Sequence, residues 1–384
     1  MEAQAPVVSL RFFGDLIDPR RPNIRHLFTD ILTIAILAVM SRSDDWDEVV
    51  LYGRNNLTWL KTFLELPKGI PSADTFSRVF ARIDPEAFEK CFINWTATLA
   101  STSAGRLIAV DGKSLRHSFL HGWNKQMVHM VSAWCQQNQL VIGQMATDGK
   151  SNEITAIPKL LALLDVKDAV VSIDAMGCQK EIAQQIKAQG GDYLLAVKGN
   201  QKTLHKKVRA LLRDVVLDQT KGLNGEQYDY AETTGQGHGR LETRRVWVST
   251  DVLSLGQTVL DEWPTIKSLI LVENQRQDLG DPTGRVTVER RLYISSLANP
   301  SATQAGQYVR GHWSVENQLH WRLDVSQGED DSRIRKDHGA ENFSRLRRIT
   351  MNKLKADPAK LSLKCKRYKC SLDRDYLLQM LMKQ

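Results

Sequence analysis

Two short apolar runs that each end in an aspartate constrain the fold of this chain more than any other feature. They read LIAVD at residues 107–111 and VVSID at residues 170–174. Each run has the length of a buried strand rather than that of a helix. Ligands of open α/β sheets gather at the carboxyl ends of the strands. One such aspartate is better explained as a turn residue, but two of them, Asp111 and Asp174, on neighbouring strands favour a shared site.

The periodicity of the apolar residues changes along the chain and predicts its organisation. Residues 1–100 have helical spacing. The expected N-caps of two of these helices are Thr29 or Asp30, and Ser72 or Asp74. From residue 106 the pattern predicts three strands, then helix, strand, helix, strand and helix. Residues 220–300 alternate and are rich in arginine, which predicts an inserted β-rich region, and helices return from residue 301.

Charge and cysteine content limit the partners and the compartment. With 52 lysine and arginine residues against 44 acidic ones, the net charge is +8 at pH 7, which is compatible with a polyanion such as DNA but does not require one. Five scattered cysteines predict reduced thiols and a cytoplasmic protein. The first residues have no signal-peptide pattern. The longest apolar run, residues 31–40, is half of the ~20 residues that a membrane helix needs, so we expect no membrane partner.

A third acid, Glu316, lies in the segment RGHWSVENQLHWRLDV. The spacing of its apolar residues fits an amphipathic helix, on which an exposed glutamate needs no function. The surrounding histidine, arginine and tryptophan residues are unusually polar and aromatic for such a surface, and they make Glu316 a site candidate. His312 and His320 are expected to flank it on one helix. Three carboxylates suit Mg²⁺ or Mn²⁺, and two such ions about 4 Å apart assist in-line phosphoryl displacement.

Several longer stretches of the sequence closely resemble one known family. They are GIPSADTFSRVF, AVDGKSLRHS, DGKSNEI, SIDAMGCQKEIA, AVKGNQKTL, RLYISSL and HWSVENQLHWRLDV. In this order they resemble the H repeat-associated DDE transposases of bacterial insertion sequences, and the resemblance covers nearly the whole chain. It implies an α/β fold, namely an RNase H-like mixed sheet with flanking helices, an inserted β-rich region and an N-terminal helical module.

The resemblance also implies three parts and a function. The parts are a helical module at 1–100 that could bind DNA, an RNase H-like DDE catalytic domain at 101–345 with an insertion at about 220–300, and a helical tail at 346–384. The DDE triad of the family falls on Asp111, Asp174 and Glu316, which would hold Mg²⁺ or Mn²⁺. The function implied is metal-dependent cleavage and strand transfer of double-stranded DNA at the ends of an insertion element, by a homodimer assembled on the DNA.

One signature of the related insertion-sequence transposases is altered. They carry an arginine four residues before the last acid and a lysine seven residues after it, where this chain has His312 and Leu323. The DNA contacts of that signature therefore do not transfer to this chain. Six basic residues are candidates for phosphate contacts, and for each of them a solvated surface charge is an equal alternative: Lys113, Arg116, Lys150, Lys198, Arg310 and His312.

Two other functions stay open at this point. The chain could be a catalytically inactive, DNA-binding remnant of a transposase, although it retains all three acids. A glycoside hydrolase with a pair of carboxylates fits less well, because the chain is basic and has no aromatic platform near Asp111.

Gly112 and three histidines complete the predictions. The histidines His117, His121 and His129 have irregular spacing, so we expect surface or phosphate contacts from them rather than a metal site. Gly112 is expected to leave room beside the metals.

Overall fold

A computed structural model describes residues 12–22, 24–99, 105–118, 127–147, 153–220, 228–237, 239–280 and 283–383 of the chain. The chain forms two compact units. The first comprises residues 1–102, 112–164 and 315–384, and the second comprises residues 103–111 and 165–314. The first unit draws on all three of the predicted sequence segments, whereas the second lies within the middle one.

The strands form a nine-stranded mixed sheet in the order β3-β2-β1-β4-β5-β9-β8-β7-β6. Their bounds are β1 Leu107–Ser114, β2 His129–Cys135, β3 Leu140–Thr147, β4 Val170–Ile173, β5 Asp192–Val197, β6 Tyr228–Gly237, β7 Arg240–Ser249, β8 Ser268–Asp278 and β9 Val286–Ser295. β1, β4 and β5 are parallel, and β2 and β3 form an antiparallel pair. The predicted chain order of three strands followed by alternating helices and strands is present, and the RNase H-like fold class is confirmed.

The arginine-rich region continues the sheet rather than forming a separate one. β9 pairs with β5 in antiparallel fashion, and β8, β7 and β6 follow as an antiparallel meander. The predicted β-rich insertion is therefore confirmed. Burial in these strands does not follow the predicted alternation. The last four residues of β7 and β9 and the first six of β8 are buried in continuous runs, whereas the second half of β6 and the first half of β9 are exposed on both faces.

The first unit contains the N-terminal helical module, which is confirmed, and the last helices of the chain. The helices of this unit are α1 Phe28–Met40, α2 Trp46–Asn55, α3 Leu57–Leu60, α4 Ala73–Arg82, α5 Pro85–Leu99, α6 Glu153–Leu163, α11 Trp321–Gln327, α12 Gly339–Lys355, α13 Leu363–Leu372 and α14 Arg374–Met382. The long apolar run 31–40 is the buried body of α1. Because α1 packs against α2, α12, α13 and α14, it has no polar face.

The N-caps of two helices show how well local sequence signals predict where a helix begins. Ser72 caps α4, since its side chain accepts a hydrogen bond from the N–H of Thr75, as the sequence predicted. The cap predicted for α1 is wrong. The N-cap is Leu27, and Asp30 lies inside the first turn, where its buried carboxylate accepts a hydrogen bond from the N–H of Leu66 at 2.9 Å. The side chain of Asp30 therefore binds a backbone group 36 residues away in sequence instead of capping α1.

The second unit is built on the rest of the sheet. Its helices are α7 Lys180–Ala188, α8 Lys202–Thr220, α9 Gln257–Glu262 and α10 Ala302–His312. Helix α10 packs against β4, β6 and β7, and α8 packs against β7, β8 and β9. One apolar core lies under α10, where Ala305 and Val309 meet Val246, Val248 and Ile270 of the inserted strands. This packing holds the insertion in place against the parallel strands.

The structure also describes the cysteines and the apolar character of the helices. The described cysteines are free thiols, and Cys365 is the exposed one among them. Among the helices that the structure describes, none combines the length and the apolar character needed to cross a membrane.

Candidate active site

Asp111 and Asp174 follow the last paired positions of two neighbouring parallel strands. Val110 of β1 is the register partner of Ile173 of β4, and each acid is the next residue in its strand direction. Neighbouring strands are about 4.8 Å apart, so the backbones of the two acids are close together. Both acids are half-buried. The second unit therefore brings two of the three predicted acids to one edge of the sheet.

The turn after β4 fixes the carboxylate of Asp174. Its Oδ1 atom accepts hydrogen bonds from the N–H of Met176 at 3.0 Å and of Gly177 at 3.3 Å. This is the turn role that one aspartate at a strand end commonly has, and it also restrains the orientation of the carboxylate. Burial, and to a smaller extent the charge of Asp174, raises the pKa of the nearby Cys178 thiol to about 12. This thiol is protonated at neutral pH and is not a nucleophile.

A cavity of about 600 Å³ lies beside Asp174 within the second unit. Leucines of α8, β8 and β9 form part of its wall, and Trp313 lies at its border. The guanidinium of Arg291 lies 4.1 Å from the centroid of the Trp313 ring. The other basic groups that line the cavity are Lys198, His205, Arg209, Arg213 and Arg290. Apolar walls, an exposed aromatic ring and a basic rim together suit a nucleic-acid strand.

His312 is held inside the second unit. It is the last residue of α10 and is buried, and its Nδ1 atom lies 3.0 Å from the hydroxyl of Ser172 on β4. The expectation that His312, Glu316 and His320 share one regular helix is wrong. The helix is interrupted at Trp313, and residues Glu316–His320 form a π-helical segment before α11.

Glu316 and His320 form a pair on this π-helical segment in the first unit. The N–H of Trp321 donates to the carbonyl of Glu316, a wider turn than that of an α-helix. The Nδ1 atom of His320 lies 3.7 Å from Oε2 of Glu316, with His320 buried and the Glu316 side chain 55% exposed. Single π-helical turns occur frequently at functional sites. Sequence reasoning noted His320 only as a neighbour of Glu316.

The residues include a donor set that suits a metal ion. Glu316 and His320 of the first unit offer a carboxylate and an imidazole that could ligate one. Carboxylate oxygens are the donors that Mg²⁺ and Mn²⁺ prefer.

Lys113 is engaged in a network of carboxylates in the first unit. Its ammonium lies 2.7 Å from Oδ1 of Asp324, 2.8 Å from Oδ1 of Asp330 and 3.5 Å from Oε2 of Glu329. Its side chain is only 10% exposed. Although burial opposes the charge, Glu329 and the two aspartates raise the pKa of Lys113. These contacts favour a positioning role for Lys113 over the predicted contact with a DNA phosphate.

Glu329 is the fully buried carboxylate of this network. It lies 2.9 Å from the Nη1 atom of Arg348. Burial alone would raise its pKa, but Arg348 and Lys113 outweigh burial and hold the pKa of Glu329 at about 2. The sequence shows Glu329 only as part of an acidic loop, because its cationic partners Arg348 and Lys113 lie 19 and 216 residues away.

A second network explains Gly112 and His129. Nδ1 of His129 lies 2.9 Å from the hydroxyl of Ser114, and its Nε2 atom contacts the carboxylate of Glu153. A Cβ atom on Gly112 would collide with the side chains of His129 and Glu153. The expectation that Gly112 makes room for metals is therefore corrected, since it makes room for this pair. His129 is buried, so the predicted surface role is also wrong for this residue.

The remaining predicted contact residues differ in exposure. Arg116 is 70% exposed, with its Nε atom 3.2 Å from Oδ2 of Asp330. Lys198, which follows β5, and Arg310, in the last turn of α10, are exposed. His117 is exposed as well. Lys150 and His121 lie outside the described residues.

Comparisons with known proteins agree on one family. The model for a transposase DDE domain matches residues 102–353, and the DDE_Tnp_1-associated model matches residues 10–96. YhhI of Escherichia coli strain K12, whose name places it among H repeat-associated transposases, is 40% identical over 94% of this chain and 93% of its own length. YncI of Escherichia coli O157:H7, also named as a transposase, is 41% identical over 94% of this chain and 90% of its own length.

One solved structure shows a more distant similarity. A piggyBac transposase synaptic complex with hairpin DNA has 10% sequence identity and a TM-score of 0.40, covering 99% of this chain and 81% of that chain.

Proposed function

This chain belongs to the DDE transposase family, and from that premise we propose that it is a metal-dependent transposase. It cleaves DNA strands at the ends of an insertion element and transfers them to target DNA, working as a dimer on two ends. The observation that carries the proposal is the placement of Asp111 and Asp174 next to the register partners Val110 and Ile173. Two carboxylates at one sheet edge repel each other unless a cation lies between them.

In this proposal, Asp111, Asp174 and Glu316 are the DDE triad and hold Mg²⁺ or Mn²⁺. The donor set supports the assignment, because these hard cations take oxygen ligands and leave positions open for phosphate oxygens. When bound, two such ions would stabilise the attacking and leaving oxygens of the phosphoryl transfer. His320, 3.7 Å from Glu316, orients that carboxylate. The turn bonds of Asp174 orient the second acid in the same way.

The basic residues near the acids bind and align the DNA backbone. Lys198 and the arginines around the cavity beside Asp174 are suited to phosphate contacts, because they are cationic and line one cavity. Arg116 and Arg310 are exposed and serve the same purpose. His312, which is buried against Ser172, and Lys113, which is bound by carboxylates, position neighbouring groups instead.

The test is cleavage of duplex DNA that carries the terminal repeats of the element, in the presence of Mg²⁺. The Asp111→Asn variant keeps the size of the side chain but removes its charge, so we expect cleavage to fall by at least about a hundredfold. The matched control is Asp261→Asn, which changes an exposed acid on α9 that accepts a hydrogen bond from Gln257. The control should cleave like the unmodified chain.

Two results would contradict the proposal. Cleavage at the unmodified rate by the Asp111→Asn variant would exclude the triad. DNA binding without any metal-dependent cleavage by the unmodified chain would instead identify a DNA-binding remnant, which is the alternative function.

A further inference from the structure

A cleft of about 480 Å³ lies on the inserted strands of the second unit. Its lining combines three arginines with one carboxylate and with uncharged residues: Arg240, Glu242 and Arg244 of β7, Arg310 of α10, Asn274 of β8 and residues 233–237 of β6. We call this feature the arginine cleft. It shares no lining residue with the cavity beside Asp174.

The strand register explains why the arginines meet there. Successive side chains of a strand point to opposite faces, so Arg244 is on the same face of β7 as Val246 and Val248. Those valines pack under α10. Arg310 lies in the last turn of α10, where the apolar contact ends, and it reaches the same cleft as Arg244. Two cations from distant parts of the chain are thereby brought to one surface.

On the opposite face of the same strands, arginines form ion pairs with carboxylates. There, Nε of Arg245 lies 2.8 Å from Glu232, and its Nη1 atom lies 3.0 Å from Glu273. Glu273 also binds Arg290, at 2.7 Å. Hydrogen bonds to Glu232 and Glu273 raise the pKa of Arg245. The charge on this face is therefore neutralised within the protein.

The arginines of the cleft are compensated less, because Glu242, the carboxylate among the lining residues, acts on Arg244 only through its charge at a distance. Within the part of the chain that the structure describes, neither Arg244 nor Arg310 forms an ion pair with a carboxylate, and Nε of Arg244 donates to the amide oxygen of Asn274 at 2.8 Å. The acid on this face, Glu242, is paired with Arg276 at 3.3 Å. Burial, and then the positive charge of Arg310, lowers the pKa of Arg244. The half-buried Arg244 and the exposed Arg310, neither of them in an ion pair with a described carboxylate, form a site for an external anion.

Strand β6 leaves the cleft open. On this edge strand, Thr233, Gly235 and Gly237 are the register partners of Arg244, Glu242 and Arg240. A Cβ atom added to either glycine would meet nothing within 4 Å. The residues opposite Arg244, Glu242 and Arg240 are therefore a threonine and two glycines, which leave room for an extended ligand and supply backbone and hydroxyl groups next to it.

We propose that the arginine cleft binds phosphodiester groups of double-stranded DNA through Arg244 and Arg310. The inference rests on the proposed function, and it adds a DNA contact on the insertion to those around the acids. A guanidinium binds phosphate oxygens through two parallel N–H donors, and contacts of this kind position a protein on a duplex without reading its sequence.

The experiment measures duplex binding by the full chain in EDTA, between about 50 and 200 mM salt, by fluorescence anisotropy. Loss of one charge-assisted phosphate contact weakens binding by about tenfold and lowers the slope of log K against log salt by about one. The Arg244→Gln and Arg310→Gln double variant should therefore lose about two from this slope. Arg245→Gln, on the opposite face of β7, is the matched control and should leave the slope unchanged.

A structural role for these residues would give a different result. A cation in the last turn of a helix stabilises that helix. If this is the role of Arg310, the Arg310→Gln variant has a lower melting temperature and an unchanged salt slope. This result would overturn the proposal. The melting temperature of the single Arg310→Gln variant, which changes an exposed residue, is therefore measured beside its salt slope to separate the two roles. An unchanged affinity and slope in the double variant, or no DNA binding by the unmodified chain, would equally overturn it.

The binding assay separates this inference from the proposed function, because it needs neither metal nor cleavage. If the Asp111→Asn variant keeps full cleavage while the double variant loses its slope, the triad is excluded and the cleft is retained. If the double variant keeps its slope while Asp111→Asn abolishes cleavage, the cleft is excluded and the triad is retained.

Discussion

At Gly112, the neighbouring side chains determine which residue type can occupy the position. It follows Asp111 in β1 and lies against the buried pair formed by His129 and Glu153. The absence of a side chain, rather than any unusual backbone conformation, is what this position requires. In sequence, it is indistinguishable from a glycine in an Asp-Gly turn.

Replacing Gly112 with alanine should therefore destabilise the protein. The added methyl group collides with His129 and Glu153, and overpacking of this kind costs about 1–3 kcal/mol. The measurement is the free energy of unfolding in denaturant. The control is Gly199→Ala, at which a Cβ atom would meet nothing within 4 Å. An equal free energy of unfolding in the two variants would contradict this prediction, because it would show that the His129–Glu153 pair moves aside without a loss of stability.

At the scale of elements, the π-helical segment Glu316–His320 is supported from α12. Nζ of Lys355 donates to the carbonyl of Gln318 at 3.2 Å and lies 4.0 Å from the centroid of the Trp134 ring. Burial, and then the charge of Arg322, lowers the pKa of Lys355 to about 6. This lysine therefore ties the segment that carries Glu316 to the long helix while remaining largely neutral at pH 7.

The pH dependence of stability should report this lysine. In the unfolded chain it binds a proton up to its ordinary pKa of 10.5, whereas in the folded chain it releases the proton above about 6. Its burial therefore costs most below pH 6, and the cost falls as the pH rises. The melting temperature of the unmodified chain should rise more between pH 6 and pH 9 than that of Lys355→Met.

The matched control is Lys364→Met, which alters an exposed lysine on α13. Its melting temperature should follow that of the unmodified chain across the same pH range. A Lys355→Met variant with an unchanged pH profile would show that Lys355 is solvated in the folded protein.

At the scale of the whole molecule, metal binding should couple to folding. The acids of the proposed triad come from separate parts of the chain, so the unfolded chain holds no site. A ligand that binds only the folded state stabilises it, by roughly 2.7 kcal/mol at a concentration 100 times its Kd. Mg²⁺ should therefore raise the melting temperature above that measured at equal ionic strength in sodium chloride.

The Asp111→Asn variant supplies the control for that effect. It should show a much smaller increase in melting temperature with Mg²⁺, because one carboxylate ligand is lost. An equal increase in both proteins would indicate that Mg²⁺ binds elsewhere, and it would contradict the assignment of Asp111 as a ligand without reference to catalysis.

The sequence by itself determined the elements and their order. Short apolar runs form the strands that it predicted, Ser72 caps α4, and Asp111 and Asp174 end up beside each other at the sheet edge. These features depend on periodicity and on neighbours within a few residues, which any reader of the chain can see. The fold class follows from the same local information, because the order of strands and helices limits the topology, whereas the family follows from the resemblance of several longer motifs.

Only the tertiary structure decided which charges are already paired. Lys113 resembles a phosphate contact in sequence, but the folded chain binds it to Asp324 and Asp330, more than 200 residues away. Arg244 and Arg245 are adjacent in sequence, yet the pleat of β7 turns one toward Glu232 and the other toward Arg310. The energy of a charge depends on its partners and its solvation, and both are set by contacts that the linear sequence does not encode locally.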